Sequence, residues 1–325
     1  MIREIKKGYK RRMFVSLCII TFIVSFAGSI AFKATYKSPK MAKYSVKWSD
    51  EVGTIKNDLA YGDGEANKFD LYLPADDSKE TYGLVVYLHA GGFTTGDKSD
   101  DSEMLKWLCS KGYIACGINY TLRTDEHPEA NVYTQSTEIK EAMPYVVKAA
   151  EDFGYHIDEM AISGGSAGGC LALLYAYRDC DTSPVPVKMV FEAVGPSCFY
   201  PEDWKSYGGD QNLEATAGLF SVMSGEDVTP EMFGTKEYDE VMKNVSALLW
   251  VNENTVPSVL AYGMYDKIQP YEGSVRLNEA LDRNNVPHEY FVMEHSGHGL
   301  QNDSKTYLKY MEAIEQYLQI YLPVK

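Results

Sequence analysis

The chain has 325 residues, with 31 Lys+Arg against 46 Asp+Glu and a formal net charge of −15. With 45% hydrophobic and 24% charged residues, the composition excludes disorder and collagen-like repeats, and the length suffices for one large α/β domain or two smaller ones. A chain this acidic lacks the basic face that phosphate neutralisation requires, so no nucleic-acid partner is expected.

Residues 1–12 break the acidic pattern. They hold Arg3, Lys6, Lys7, Lys10, Arg11 and Arg12 against Glu4 alone. Met13 to Phe32 then runs without a charge, long enough as a helix to cross about 30 Å of hydrocarbon. This predicts a transmembrane helix over 13–32 behind a cytoplasmic basic segment. The acidic body then lies on the extracytoplasmic side of the cell membrane, held by a single pass. Ser29-Ile30-Ala31 offers the small residues of a cleavage site, so a removed signal peptide and a secreted body are the alternative. Secretory apolar regions usually run about 7–15 residues, shorter than this one.

Residues 33–54 are polar and read as a linker to a body spanning 55–325. Phe69, Leu71 and Leu73 alternate as an early strand ending at Pro74. Leu84 to Leu88 is a continuous apolar run, the mark of a strand buried on both faces. A helix over 102–109, a strand over 113–118, a helix from about 137 to 153 and a strand over 160–163 follow. A helix then runs to about Tyr177, and 188–194 is again strand-like. The stretch from 199 to 244 is irregular and reads as an insertion over one end of the sheet. It carries Phe199, Tyr200, Trp204, Tyr207 and Phe220, which either stack on a substrate ring or form a local core. Alternation resumes with a strand over 258–262, a helix over 272–284, a strand over 289–293 and a helix over 304–321. Strands alternating with helices predict a mostly parallel sheet covered on both faces.

Each chemically suggestive motif falls in a turn after a strand, where ligands meet open α/β sheets. Gly164-Gly165-Ser166-Ala167-Gly168 fits G-x-S-x-G between strand and helix, a sharp turn that lifts a serine hydroxyl clear of its backbone. His89-Ala90-Gly91-Gly92-Phe93 follows the most apolar strand and resembles the HGGG-type loop of lipases and esterases. Gly91 and Gly92, with the N–H of Ala167, are the expected oxyanion donors, and His89 is expected to hold the loop. Ala90 departs from the all-glycine pattern and is harmless only at an ordinary φ. A triad in chain order continues with an acid and a histidine. Asp266, in the loop after the 258–262 strand, is the expected acid, with Asp303 and Glu294 as competitors. His298, in a turn flanked by glycines, is the expected base, with His295 the competitor. His127, His156 and His288 have no motif around them.

Of the six cysteines, Cys18 lies in the apolar span. The other five read mostly as small buried hydrophobes, and an odd number leaves at least one thiol free. There is no CxxC and no Cys/His group at zinc spacing, so no metal or other cofactor is expected.

In order and spacing, residues 69–74, LHAGGFTTGDK at 88–98, Asn119-Tyr120, GGSAGG at 164–169, GMYDKIQP at 263–270 and SGHGL at 296–300 resemble one family. They are similar to the α/β-hydrolases of the hormone-sensitive-lipase-like and feruloyl/acetyl-xylan-esterase-like (BD-FAE-like) groups, over about 55–322. The resemblance implies an α/β-hydrolase fold and carboxylic-ester hydrolysis without a cofactor; the insertion over 199–244, expected after the sixth strand, has no counterpart in it. It assigns Ser166, Asp266 and His298 as the triad. The partner expected is a small-molecule ester. The chain departs from the family after Tyr120, where Thr121-Leu122-Arg123-Thr124 replaces an Arg-Leu-Ala-Pro-type run. A serine peptidase acting on short peptides is the rival enzyme, and a binding module that has lost turnover is the rival outside enzymes.

Overall fold

The computed structural model describes residues 41–325, with the backbone alone for Ser206 and Tyr207. The chain divides into two units, Met1–Ser45, of which a helical turn at Met41–Tyr44 is described, and Val46–Lys325. The predicted transmembrane helix over 13–32 lies outside the described residues. No helix among the described residues is long and apolar enough to cross a membrane.

The second unit is built on an eight-stranded sheet in the order β1-β2-β4-β3-β5-β6-β7-β8. Its strands are β1 (Gly53–Ala60), β2 (Lys68–Pro74), β3 (Tyr82–Leu88), β4 (Ile114–Ile118), β5 (Ile157–Gly165), β6 (Val187–Ala193), β7 (Ser258–Gly263) and β8 (His288–Met293). β1 and β2 pair antiparallel at one edge, β2 meets β4 antiparallel, and all other pairings are parallel. The sequence reading placed every strand except β1. That strand, GTIKNDLA, is mostly exposed and shows little apolar alternation, so residues 53 and 54 already belong to the sheet rather than to a linker.

Seven α-helices are described: α1 (Ser102–Ser110), α2 (Val132–Asp152), α3 (Ala167–Leu174), α4 (Leu213–Ser224), α5 (Lys236–Met242), α6 (Tyr271–Arg283) and α7 (Ser304–Tyr321). Leu84, Val86 and Leu88 of β3 share one core with buried residues of α2, α3 and α6. Val85 faces the other way and is equally buried, on the side where α1 and α7 pack. Both faces are therefore covered, which is why β3 is apolar throughout. α2 starts at Val132, ahead of the predicted 137, because Asn131 and Thr134 form a reciprocal capping box that satisfies the first free N–H groups. α3 is followed by a wider helical turn at Tyr175–Asp179, so helical backbone continues past Tyr177.

Between β6 and β7 lie α4, α5 and three short helical turns at Pro201–Tyr207, Pro230–Met232 and Ala247–Trp250. Phe199 and Phe220 are fully buried there, with Trp204, Phe233 and Tyr238 edge-on or tilted around Phe220 at 5.9–6.5 Å. These rings form a local core, which settles Phe199 and Phe220 as packing residues. The side chain of Tyr207 lies outside the described residues.

β3 has β4 on one side and β5 on the other, so the chain reverses its direction of travel across the sheet at that point. The loops after β3 and β5 leave the same edge and diverge, which opens the crevice in which ligands of such sheets bind.

Candidate active site

β5 runs directly into Ser166, and α3 begins at the next residue. Ser166 has φ 53° and ψ −119°, a strained conformation for a residue with a side chain. Its N–H is held by Ala193 O at 2.8 Å. The two glycines of the motif have a steric cause. A Cβ on Gly164 would lie 2.4 Å from the Gly168 carbonyl, and one on Gly168 would lie 2.0 Å from Leu88 O. The turn is thus backbone against backbone, and G-x-S-x-G is the residue spacing that permits it.

His298, in the loop after β8, places Nε2 2.8 Å from Ser166 Oγ. Its Nδ1 lies 2.7 Å from Asp266 Oδ2. A carboxylate accepts only, so Nδ1 carries the proton and the Nε2 lone pair faces the serine hydroxyl. The Asp266 side chain is 2% exposed, and its Oδ1 accepts the N–H groups of Ile268 at 2.8 Å and Gln269 at 3.1 Å. One carboxylate oxygen is therefore fixed by backbone, which aims the other at the imidazole. The two loops touch closely: a Cβ on Gly263 would lie 2.3 Å from Gly297 O.

The loop after β3 supplies N–H groups. Gly91 (φ 129°) and Gly92 (φ 60°) lie where side chains are disfavoured, and a Cβ on Gly91 would lie 1.9 Å from Thr95 O. Ala90 keeps an ordinary negative φ, while Phe93 takes φ 68°. The N–H groups of Gly91, Gly92 and Ala167 donate to no acceptor among the described residues, and that of Ala167 opens α3, where anions are favoured. His89 is buried inside this loop, stacked on Tyr120 at 4.3 Å with Nδ1 2.7 Å from Ala90 O. Burial holds its pKa below the ordinary imidazole value. It holds the loop, as expected.

Three side chains have supporting roles that the sequence reading did not assign, Asp303 having been read there only as a competing acid. Gln135, fully buried on α2, donates through Nε2 to Phe93 O at 2.9 Å and Thr121 O at 2.8 Å, pinning the loop after β3 to the loop after β4. A polar residue in phase with buried Ile139 and Ala142 was the available signal. Asp303 accepts from Ser296 Oγ at 2.5 Å and from the His295 N–H and Nδ1 at 2.9 Å each. It closes the loop that carries His298. The competing pair His295–Asp303 is thus real but stands apart from Ser166. The third, Glu192, lies behind the nucleophile turn, where its Oε2 accepts from Gly195 N.

The remaining histidines lie elsewhere: His127 and His156 beside surface glutamates, His288 against Val286 O and Asn278. Cys109, Cys116, Cys170 and Cys198 are buried and Cys180 half-buried, all as free thiols. Burial pushes the Cys109 thiol up to about 12, as expected for a packing residue rather than a nucleophile. Among the described residues no group of three or more His, Cys, Asp or Glu is placed to hold a metal ion.

Fold and site together define an α/β-hydrolase with a serine–histidine–aspartate hydrogen-bond chain at the crevice of its sheet. The BD-FAE family model matches residues 69–281, more than half of the chain, and the chain belongs to that family. The match contains Ser166 and Asp266 and ends before His298. The chain is similar to the probable carboxylic ester hydrolase LipM of Mycobacterium tuberculosis, 32% identical over 123 residues. It is also similar to the kynurenine formamidase of Salmo salar, 28% identical over 121 residues. Each alignment takes in 37% of this chain and spans only 27% and 38% of those relatives. The inhibited crystal structure of esterase B from Lactobacillus rhamnosis superposes with a TM-score of 0.63 at 19% identity, covering 92% of this chain and 95% of that one.

Proposed function

We propose that the protein is a serine esterase that hydrolyses carboxylic esters through an acyl-enzyme on Ser166. The observation that carries this reading is the unbroken chain Ser166 Oγ–His298–Asp266, at 2.8 and 2.7 Å, beside three undonated N–H groups. His298 Nε2 takes the Ser166 proton as Oγ bonds to the ester carbonyl carbon, and Asp266 stabilises the imidazolium. Gly91, Gly92 and Ala167 receive the oxyanion. Collapse breaks the carbon–alkoxide bond, and the alkoxide leaves with the proton from His298. Water then adds to the acyl group with His298 again as base, and breaking the carbon–Oγ bond releases the acid and restores the serine. The relatives named as ester hydrolases support the same reading. The relative named as a formamidase favours amide cleavage as the second reading.

The body acts outside the cytoplasm, held at the cell membrane by residues 13–32. This rests on the charge pattern at the N-terminus. Membrane fractionation with a carbonate wash tests it: release of the full chain into the wash excludes an integral anchor.

Hydrolysis of p-nitrophenyl esters from acetyl to decanoyl by the detergent-solubilised full chain, with Ser166→Ala beside it, tests the reaction. Turnover lost in Ser166→Ala is the expected result, and the chain-length optimum sizes the acyl pocket. Full activity in Ser166→Ala refutes the assignment. Turnover of matched amides but not esters moves it to a peptidase, and no turnover of either to a binding module.

A further inference from the structure

Behind the nucleophile turn lies a carboxyl that the proposed reaction does not use. Glu192, next to last in β6, is fully buried. Its Oε2 accepts the N–H of Gly195 at 2.7 Å, and its Oε1 has no hydrogen-bond partner among the described residues. The Tyr262 hydroxyl donates to Gly195 O at 2.8 Å and stands against the same carboxyl. Gly195 is therefore gripped at both its N–H and its carbonyl.

That grip bears on the nucleophile. A Cβ on Gly195 would lie 2.6 Å from the Gly169 carbonyl carbon and 2.7 Å from Cys170 N, both in the first turn of α3. One on Gly169 would lie 2.9 Å from Glu192 Oε2. Val194, a β-branched residue at φ 53°, is strained and needs its surroundings to hold it. Ala193 O receives the N–H of Ser166 itself. Residues 193–195 form a shelf under the serine turn, and Glu192 with Tyr262 fixes the shelf.

The titratable groups around Glu192 are Cys170 on α3, Tyr177 in the turn after it, Tyr262 on β7 and Tyr290 on β8, with Tyr87 of β3 and Tyr310 of α7 further off. None carries positive charge. Burial accordingly pushes the Glu192 pKa up to about 8, since a lone charge is disfavoured in such surroundings.

We propose that Glu192 is a positioning residue for Ser166 that works as a neutral acid, and that its ionisation loosens the shelf and shuts activity down on the alkaline side. The proposal rests on the serine-hydrolase reading. As an acid, the carboxyl leaves the Tyr262 hydroxyl free to donate to Gly195 O. As a carboxylate it competes for the Tyr262 proton, because charge-assisted hydrogen bonds are the stronger ones. Gly195 O is then released, and a negative charge stands in the low-dielectric core behind the place where the oxyanion forms.

The test is the pH dependence, from 6 to 9.5, of ester turnover and of Ser166 labelling by a fluorophosphonate, in the full chain and in Glu192→Gln. Gln stays neutral and can still accept the Gly195 N–H, as Glu192 Oε2 does. Expected is an alkaline fall of about tenfold in kcat with a midpoint near 8 in the native chain, with little change in KM. In Glu192→Gln the fall is absent, and activity at pH 7 stays within about threefold. An alkaline fall that persists in Glu192→Gln, or none in the native chain, overturns the proposal. Independently, the carboxyl of Glu192 in 13C-glutamate-labelled Ser166→Ala protein is expected to titrate near 8 by NMR. Titration below about 6, in the ordinary carboxylate range, also overturns it. Failure of both ester turnover and Ser166 labelling at every pH sinks the hydrolase reading instead, and the NMR titration still decides whether Glu192 is neutral.

Discussion

Replacing Asp266 by Asn tests the hydrogen-bond chain at its most constrained point. Asp266 Oδ1 accepts two backbone N–H groups, at 2.8 and 3.1 Å, and an Asn there keeps its carbonyl oxygen on the same side. Its NH2 then replaces Oδ2, 2.7 Å from His298 Nδ1. An NH2 donates, so Nδ1 must accept and the imidazole proton moves to Nε2, pointing at Ser166 Oγ. The base is lost although every heavy atom keeps its place. The equivalent change in a studied serine protease costs about 10⁴ in kcat, or about 5 kcal/mol of barrier. The expectation for D266N is a fall of that order in kcat, with KM and thermal midpoint little changed. Steady-state kinetics on a p-nitrophenyl ester measure it, with Tm by calorimetry. A loss under about tenfold, or one expressed mainly in KM, refutes the reasoning.

Gly168→Ala pushes a methyl into Leu88 O at 2.0 Å and is expected to yield no folded protein by circular dichroism. Gly92→Ala meets nothing within 4 Å but keeps φ 60°, so a loss of only about 1–2 kcal/mol in urea unfolding is expected. Lys98 Nζ lies 2.9 Å from Asp58 and 3.4 Å from buried Asp70. Lys98→Met strands the Asp70 charge and is expected to cost about 3–5 kcal/mol of unfolding free energy. Asp303 raises the pKa of His295, first by its hydrogen bond and then by its charge. A raised histidine stabilises the fold fully below its ordinary value near 6.5 and loses that contribution as pH rises through the folded value. The Tm difference between the native chain and His295→Gln should therefore shrink above about pH 6.5; a constant difference would show that the pair is not ionic.

The alternation of apolar runs with helical segments gave the parallel body of the sheet, because strands buried on both faces cannot avoid looking apolar. G-x-S-x-G, the loop at 89–93, Asp266 and His298 were legible for a related reason. A turn of backbone against backbone demands glycine, and glycine shows in any sequence. β1 was not legible, since an exposed edge strand needs no apolar face. The start of α2 was missed because Asn131 and Thr134 act through a cap rather than through periodicity. What only the tertiary structure decided is which polar groups hold these loops in place. Gln135 acts on backbone 14 and 42 residues away, while Asp303 and Glu192 hold nearby loop backbone. Nothing in the local sequence distinguishes any of them from a solvated side chain until the chain folds and water is removed.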